Sequence, residues 1–387
     1  MSRGILALSG YNFRAIIAFC RWASSENVPF HLIARNHGDP VFLTDYANCV
    51  AYIRDSEQLT ATDVIQWIKS LKEQYGYTQV LLLPSTEYFN RLILSSRSEL
   101  EAAGGIVPLC HEDLYIRISD KWSFGEMCAA HGLDIPHEVS LNSDLPIVAK
   151  PRSYGNSTGE QIKPVLIHTA EDRMQFAQSN DTSHYYFQEF VTGRSLYLLL
   201  HISSGGHITA CSQENHIQQC NGGSIIMAKP TDLHHTAICS EYCSMLVSSG
   251  FHGLIMIELR QTSDNRYVMI EANPRMWGPM ALITDNGVPI FDALLSDYGW
   301  TIRQGTSMAS EDKIYFWSGG ISGRNLPLAY HNFSQTLLIK DLQQLLQHDI
   351  YNRKDTRSLW KKEYDPAALS SLDGGILSIF QSEFDKE

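Results

Sequence analysis

GLIMIELRQTSDNRYVMIEANPRMWGP, residues 253–279, is the stretch whose reading decides the fold. Gly253 to Leu259 is mostly apolar and Arg266 to Ala272 is rich in β-forming residues. Thr262-Ser263-Asp264-Asn265 between them has turn chemistry, so the stretch predicts an antiparallel hairpin. A strand pair of this composition is buried, and burial tolerates a carboxylate only where something compensates its charge. Glu258, Glu271 and Asn273 are therefore the residues to explain. Strand side chains alternate, so Glu271 and Asn273 share a face, and the hairpin brings Glu258 alongside them. Two carboxylates and an amide oxygen gathered in this way suit a hard cation that keeps places for water and phosphate, which points to a magnesium-nucleotide site. The plain alternative puts Glu258 and Glu271 at strand ends in solvent, with Asn273-Pro274 as an ordinary turn. The rest of the chain decides between them.

At 387 residues the chain has the length of two or three domains, taking roughly 150 residues for each. Its 44% hydrophobic content permits sizeable cores. A net charge of −12 and a pI near 5.7 argue against nucleic acid or an anionic membrane as the main partner, so any bound anion needs a local cluster of positive groups. No stretch approaches the roughly 18 apolar residues of a membrane span, and the N-terminus MSRGILALSGYNF has no signal-like apolar core, so a cytoplasmic protein is expected. The eight cysteines, at 20, 49, 110, 128, 211, 220, 239 and 243, form no C-x-x-C, which leaves neither a zinc site nor a disulfide framework to expect.

The first 112 residues alternate strand and helix signals. Apolar runs at 4–9, 30–34, 49–53 and 79–83 are interleaved with helical spacing over 12–24 and 62–75, the latter capped by Thr60 or Thr62. This pattern predicts a doubly wound parallel sheet, which binds ligands beyond the carboxyl ends of its strands. Gly10-Tyr11-Asn12 and Ser85-Thr86-Glu87 fall at that mouth, although each reads first as a structural turn.

Ser119-Asp120-Lys121 opens a helix that runs to Ala130 before Gly132. Lys121 sits in the first turn, where the helix dipole disfavours a cation, a conflict relieved if both face a shared anion such as phosphate. The strand 145–149 leads into Lys150, and Arg152 to Gly159 then forms a small, polar loop able to wrap N–H groups around phosphate oxygens. Further strands follow at 185–190, 196–202 and about 208–212. A Gly222-Gly223-Ser224 turn and a helix from about Asp232 to Ser249 precede the hairpin, and further helices are expected from Met280. Gln188 and Glu189 are polar inside an apolar strand, as expected where an edge reads an adenine.

Taken in order, SDKWSF, IVAKPRSYGNSTG, YFQEFVTGRS, GLIMIEL and MIEANPRMWG resemble the ATP-grasp superfamily over residues 113–300. The resemblance implies an N-terminal α/β domain (1–112) and an ATP-grasp domain (113–305) whose small lid covers about 140–193. The nucleotide would lie between two antiparallel sheets, and a C-terminal extension (306–387) would pack on the core. It implies that Lys121 and Lys150 hold the phosphates while the loop with Ser153, Tyr154, Gly155, Asn156 and Ser157 closes over them. Gln188, Glu189 and Val191 would face the adenine. Ser195 would stand where many members place a ribose-binding glutamate. Glu258, Glu271 and Asn273 would bind Mg²⁺, with Mn²⁺ as the alternative, and Arg275 with Lys150 would be catalytic, Arg275 clamping the γ-phosphate or acyl phosphate.

The tryptophan-glycine pair after Arg275 resembles carboxylate-amine ligases, which join a small acid to an amine at the expense of ATP. A nucleotide-binding regulator without turnover, or a biotin-carboxylase-like enzyme, are the competing readings. No covalent nucleophile is required, so Cys211 and Cys220 read as structural, His216 as a substrate contact, and His234 and His235 as surface residues. Arg353 to Lys362 is a basic run whose default reading is a solvated face, with core packing, a cleft cover or a dimer contact as the other options.

Overall fold

In the computed structural model, which describes residues 2–54, 58–152, 164–220, 222–302, 313–321 and 327–364, the N-terminal apolar runs form one parallel sheet. Its strands β1 (Arg3–Leu8), β2 (His31–Ala34), β3 (Val50–Ile53), β4 (Gln79–Pro84) and β5 (Gly105–Ile106) lie in the order β3-β2-β1-β4-β5. Helices α1 (Phe13–Ser25), α2 (Ala61–Tyr75), α3 (Glu87–Ser95) and α4 (Arg97–Ala102) accompany them. β1 shows why the run is apolar at every position: Ile5 and Ala7 enter one core, Leu6 and Leu8 the other. Helix α2 begins at Thr60, which forms a reciprocal capping box with Asp63, and stops at the left-handed Gly76. Strand order reverses between β1 and β4, which opens a crevice at the carboxyl edge of the sheet.

After α5 (Glu112–Ser119) and α6 (Lys121–Ala130) comes a four-stranded antiparallel sheet. It consists of β6 (Glu138–Val139), β7 (Ile147–Pro151), β8 (Val165–Ile167) and β9 (Tyr185–Glu189), in the order β6-β9-β7-β8, with helix α7 (Ala170–Ser179). This sheet has its own small core around Ile147, Ala149, Ile167, Phe176 and Tyr185.

The largest sheet runs β14-β13-β10-β11-β12-β15, with β16 added on β11. The strands are β10 (Arg194–Ile202), β11 (Ile208–Gln218), β12 (Ile225–Pro230), β13 (Gly253–Gln261), β14 (Tyr267–Asn273), β15 (Tyr315–Phe316) and β16 (Ala329–Tyr330). Helices α8 (Ala237–Ser248), α9 (Met280–Asp285), α10 (Ile290–Asp297), α11 (Gln335–Gln347) and α12 (Arg357–Glu363) complete the described chain. Among the described residues no helix is long and apolar enough to cross a membrane.

Three departures from the sequence reading have physical causes. β11 continues past Ser212 to Gln218, and its buried polar side chains find partners on it and on neighbouring strands: Gln213 Nε2 donates to Asn215, Asn215 to Ser195, and Arg194 to Glu214. The helix expected from Asp232 begins at Ala237, because a 3₁₀ turn over Leu233–His235 is pinned to β11 by Ser212. The Ser212 hydroxyl accepts from His234 N at 3.2 Å and lies 2.9 Å from His234 Nδ1, so His234 is half-buried and only His235 is exposed. The basic run 353–362 is not a solvated face. Leu359 and Trp360 are buried and Arg353 pairs with Asp285, which anchors α12 to the core and leaves Lys361 and Lys362 outward.

Candidate active site

Glu258 stands opposite Glu271 in the β13–β14 ladder, and the next pair is Leu259 with Met269, so Ile270 is a bulge residue. A bulge leaves backbone groups outside the ladder, and here the Ile270 carbonyl accepts from Lys150 Nζ at 3.1 Å. The irregularity in the hairpin thus seats a lysine from the four-stranded sheet beside the two carboxylates. Lys121, the first residue of α6, donates to Glu271 Oε2. Asn273 Nδ2 donates to Glu271 Oε1 at 2.8 Å, and Asn273 Oδ1 accepts from Arg275 Nη2 at 2.8 Å. Arg260 lies 3.1 Å from Glu258. Lys121, Lys150, Glu258, Glu271, Asn273 and Arg275, six residues singled out from sequence, form one cluster.

The charges in that cluster are strongly coupled. Burial pushes the Glu258 carboxyl above its ordinary range; Arg260 pulls it back, and Glu271 opposite pushes it further up. Burial acts the same way on Glu271, but Lys121, Asn273 and Arg275 outweigh it and hold that carboxyl down at about 2. Lys150 is buried, and desolvation followed by the nearby Lys121 pushes its amine down to about 7 against the pull of Glu271 and Glu258.

Glu271, Asn273 and Arg275 open into a cavity of about 730 Å³ whose opposite wall is the carboxyl edge of the parallel sheet. Gly10-Tyr11-Asn12 and Ser85-Thr86-Glu87 both line it while also serving as turns. Asn12 Nδ2 donates to Ser85 O at 3.1 Å and to Met276 O at 3.0 Å, stapling two loops of the parallel sheet to the turn after β14. Glu87 accepts from Tyr115 at 2.6 Å and lies 3.9 Å from Arg275. The Gly222-Gly223-Ser224 turn forms another edge, held by Arg14, which donates to Ser224 Oγ at 2.8 Å and lies over the Trp317 ring at 4.0 Å.

The remaining expected residues are placed differently. Lys150 is paired with Tyr186 and Val148 with Gln188, so Lys150 and Gln188 share one face of the four-stranded sheet. Gln188 Nε2 donates to Pro136 O, and its buried Oε1 has no partner among the described residues. Glu189 accepts from His137 N at 3.1 Å, and Val191 is half-buried in the link to β10. Ser195 is fully buried with its hydroxyl accepting from Asn215, a placement that does not fit a ribose contact. Ser153, Tyr154, Gly155, Asn156 and Ser157 lie outside the described residues. His216 is buried beside Phe333 and does not line the cavity. Cys211 and Cys220 are free thiols, as are the other six cysteines.

Sequence reasoning passed over Arg35 and Arg54, which also line the cavity. Each is the first residue after a parallel strand, β2 and β3, so the rule that placed Tyr11 at the mouth would have found both. The Ile270 carbonyl and Arg260 left no comparable trace, because a bulge is not visible in residue spacing.

Among the described residues no three His, Cys, Asp or Glu side chains gather to hold a metal. The donor set is instead two carboxylates and an amide, with lysines alongside. That all-oxygen set fits a hard divalent cation that completes its shell with phosphate and water, and the orphaned Gln188 Oε1 fits a ligand that donates a hydrogen bond.

The architecture of a parallel-sheet domain, a small antiparallel sheet and a large one is the ATP-grasp fold. The chain matches the biotin carboxylase domain of Hydrogenobacter thermophilus 2-oxoglutarate carboxylase at a TM-score of 0.58 and 12% identity, covering 78% of this chain and 70% of that one. N5-carboxyaminoimidazole synthetase from Staphylococcus aureus matches at 0.56 and 13%, covering 78% of each chain. Biotin carboxylase from Campylobacter jejuni matches at 0.56 and 11%, covering 78% and 72%. The first of these was crystallised as a dimer with MgADP, ADP and bicarbonate, the third as a beta-gamma-ATP complex. No family model matches the chain, and no curated protein sequence matches it.

Proposed function

We propose that the chain is an ATP-dependent carboxylate-amine ligase that activates a small acid as an acyl phosphate and joins it to an amine. The observation that carries this reading is the meeting of Glu258, Glu271 and Asn273 with Lys121 and Lys150, next to a cavity that Glu271, Asn273 and Arg275 line. A carboxylate does not condense with an amine at neutral pH, because oxide is a poor leaving group. Transfer of the γ-phosphoryl group to a carboxylate oxygen makes phosphate the leaving group. The amine nitrogen then attacks the carbonyl carbon, the C–N bond forms, the C–O bond to phosphate breaks, and the amine proton passes to solvent.

Magnesium held by Glu258, Glu271 and Asn273 would supply charge neutralisation on the phosphates. Lys121 and Lys150 bind phosphate oxygens, and Lys150, with its amine near 7, gains its full charge as it meets them. Arg275, fixed by Asn273, orients the group being transferred. The face of β9 and β7 shared by Gln188 and Lys150 receives the base.

The neighbours' names favour a second reading, carboxylation of an amine or related acceptor with bicarbonate as the acid. One experiment separates the two: ADP and phosphate release with Mg²⁺ is measured across pairs of acids and amines, with bicarbonate as one of the acids. Release that requires an organic acid and an amine supports the ligase, and release that requires bicarbonate replaces it with a carboxylating enzyme. ATP binding with no turnover in any combination overturns both.

A further inference from the structure

Where the carboxyl ends of β2 and β3 line the cavity they contribute two arginines, Arg35 and Arg54, against the acidic character of the chain as a whole. Among the described residues four arginines line the cavity, and their partners differ. Arg14 is occupied by Ile225 O, Tyr315 and Ser224, and both Arg275 Nη atoms by Met276 O and Asn273, with Arg275 Nε 3.9 Å from Glu87. Arg35 and Arg54 are not occupied in this way. Arg35 Nε lies 3.2 Å from Asp39, but Asp39 already accepts from Ser9, Val41 N and Arg35 N. That carboxylate positions Arg35 from behind, and no described residue accepts from the Arg35 Nη atoms. Arg54 Nε is buried and has no partner among the described residues, while its guanidinium lies 5.3 Å from the Phe89 ring centroid. Burial, and after it the charge of Arg35, pulls the Arg54 pKa down. Arg35 and Arg54 follow the paired residues Ala34 and Ile53 of neighbouring strands, and among the described residues Asp39 is the one carboxylate that contacts either guanidinium. Tyr11, 89% exposed, covers Arg35 at 4.9 Å from the solvent side. The carboxylates that line the cavity among the described residues are committed elsewhere, Glu271 to Lys121 and Glu87 to Tyr115 and Arg91.

Resting on the ligase reading, we infer that the acid used by this site carries a second anionic group, a carboxylate or a phosphate, held by Arg35 and Arg54 while its reacting carboxylate faces Arg275. The planar, forked guanidinium suits either group as a bidentate partner. The carboxyl ends of β2 and β3 therefore act as the specificity end of the cavity, and the turn after β14 as its reaction end.

Calorimetric titration of the full chain with butyrate, succinate and 3-phosphoglycerate, in the presence of MgADP, tests this. At least one of the two-anion acids is expected to bind ten times more tightly than butyrate, and whichever does so identifies the second group. Arg54→Gln and Arg35→Gln are expected to cut that affinity at least tenfold and to leave butyrate within twofold. Arg54→Lys, which keeps the charge without the fork, falls between, and thermal melts establish that each variant is folded. Equal affinity for all three acids, no binding of either two-anion acid to the wild-type chain, or unchanged affinity in folded Arg54→Gln overturns the inference. Selective binding of a two-anion acid with no amine-stimulated ADP release sinks the ligase reading and leaves the arginine site standing.

Discussion

Glu258 and Glu271 face each other directly across two strands of one hairpin, and the surroundings treat them oppositely. Glu271 is gripped by Lys121 and Asn273, while Glu258, more deeply buried, has Arg260 at the same cluster's edge. The surroundings hold the Glu271 carboxyl below its ordinary range and push the Glu258 carboxyl above it.

Glu271→Gln is expected to lower magnesium-dependent ADP release by a factor on the order of 100 or more, the scale seen when a preorganised charged group is removed from a reacting site. Steady-state ADP release measures it. Turnover at the wild-type rate in this variant would take Glu271 out of the site.

Lys150 links the site to pH. Its folded-state amine near 7 lies below the unfolded value of about 10.4, so between those pH values the unfolded chain binds the extra proton and stability rises with pH. Below pH 7 the penalty for burying the charge is fully present. Denaturant midpoints across pH 6 to 10 are expected to show this contribution in the wild-type chain, up to about 1.4 kcal/mol per pH unit, and Lys150→Met to lack it. An identical slope in both proteins would contradict the buried, depressed amine.

Asn12→Ala removes both hydrogen bonds that tie the first loop of the parallel sheet to Ser85 and to Met276. Two carbonyls lose a partner, so a loss of about 1–3 kcal/mol is expected in chemical denaturation. A variant as stable as wild type would show that the staple is dispensable.

Gly193 joins β9 to β10 at a φ of 141°, and a Cβ there would meet the Gln261 backbone carbonyl. Gly193→Ala therefore combines backbone strain with a clash, and a loss of about 2–4 kcal/mol is expected in thermal or denaturant unfolding. A change within about 0.5 kcal/mol, the scale of ordinary surface substitutions, would place the two sheets differently at this joint.

The sequence by itself determined the hairpin and the parallel sheet and singled out Lys121, Lys150, Glu258, Glu271 and Asn273, because each is written in local terms, while Arg275 came from the family resemblance. A carboxylate in an apolar strand, a lysine in the first turn of a helix, and apolar runs punctuated by Gly and Pro are visible residue by residue. What only the tertiary structure decided depends on chain segments far apart in sequence. The Ile270 bulge that seats Lys150 is a register shift between strands, the burial of Ser195 follows from Asn215 on the neighbouring strand, and the anchoring of Trp360 follows from contacts across the whole domain. Arg35 and Arg54 became a pair only once β2 and β3 lay side by side, since strand order, unlike periodicity, is fixed by packing of the finished core.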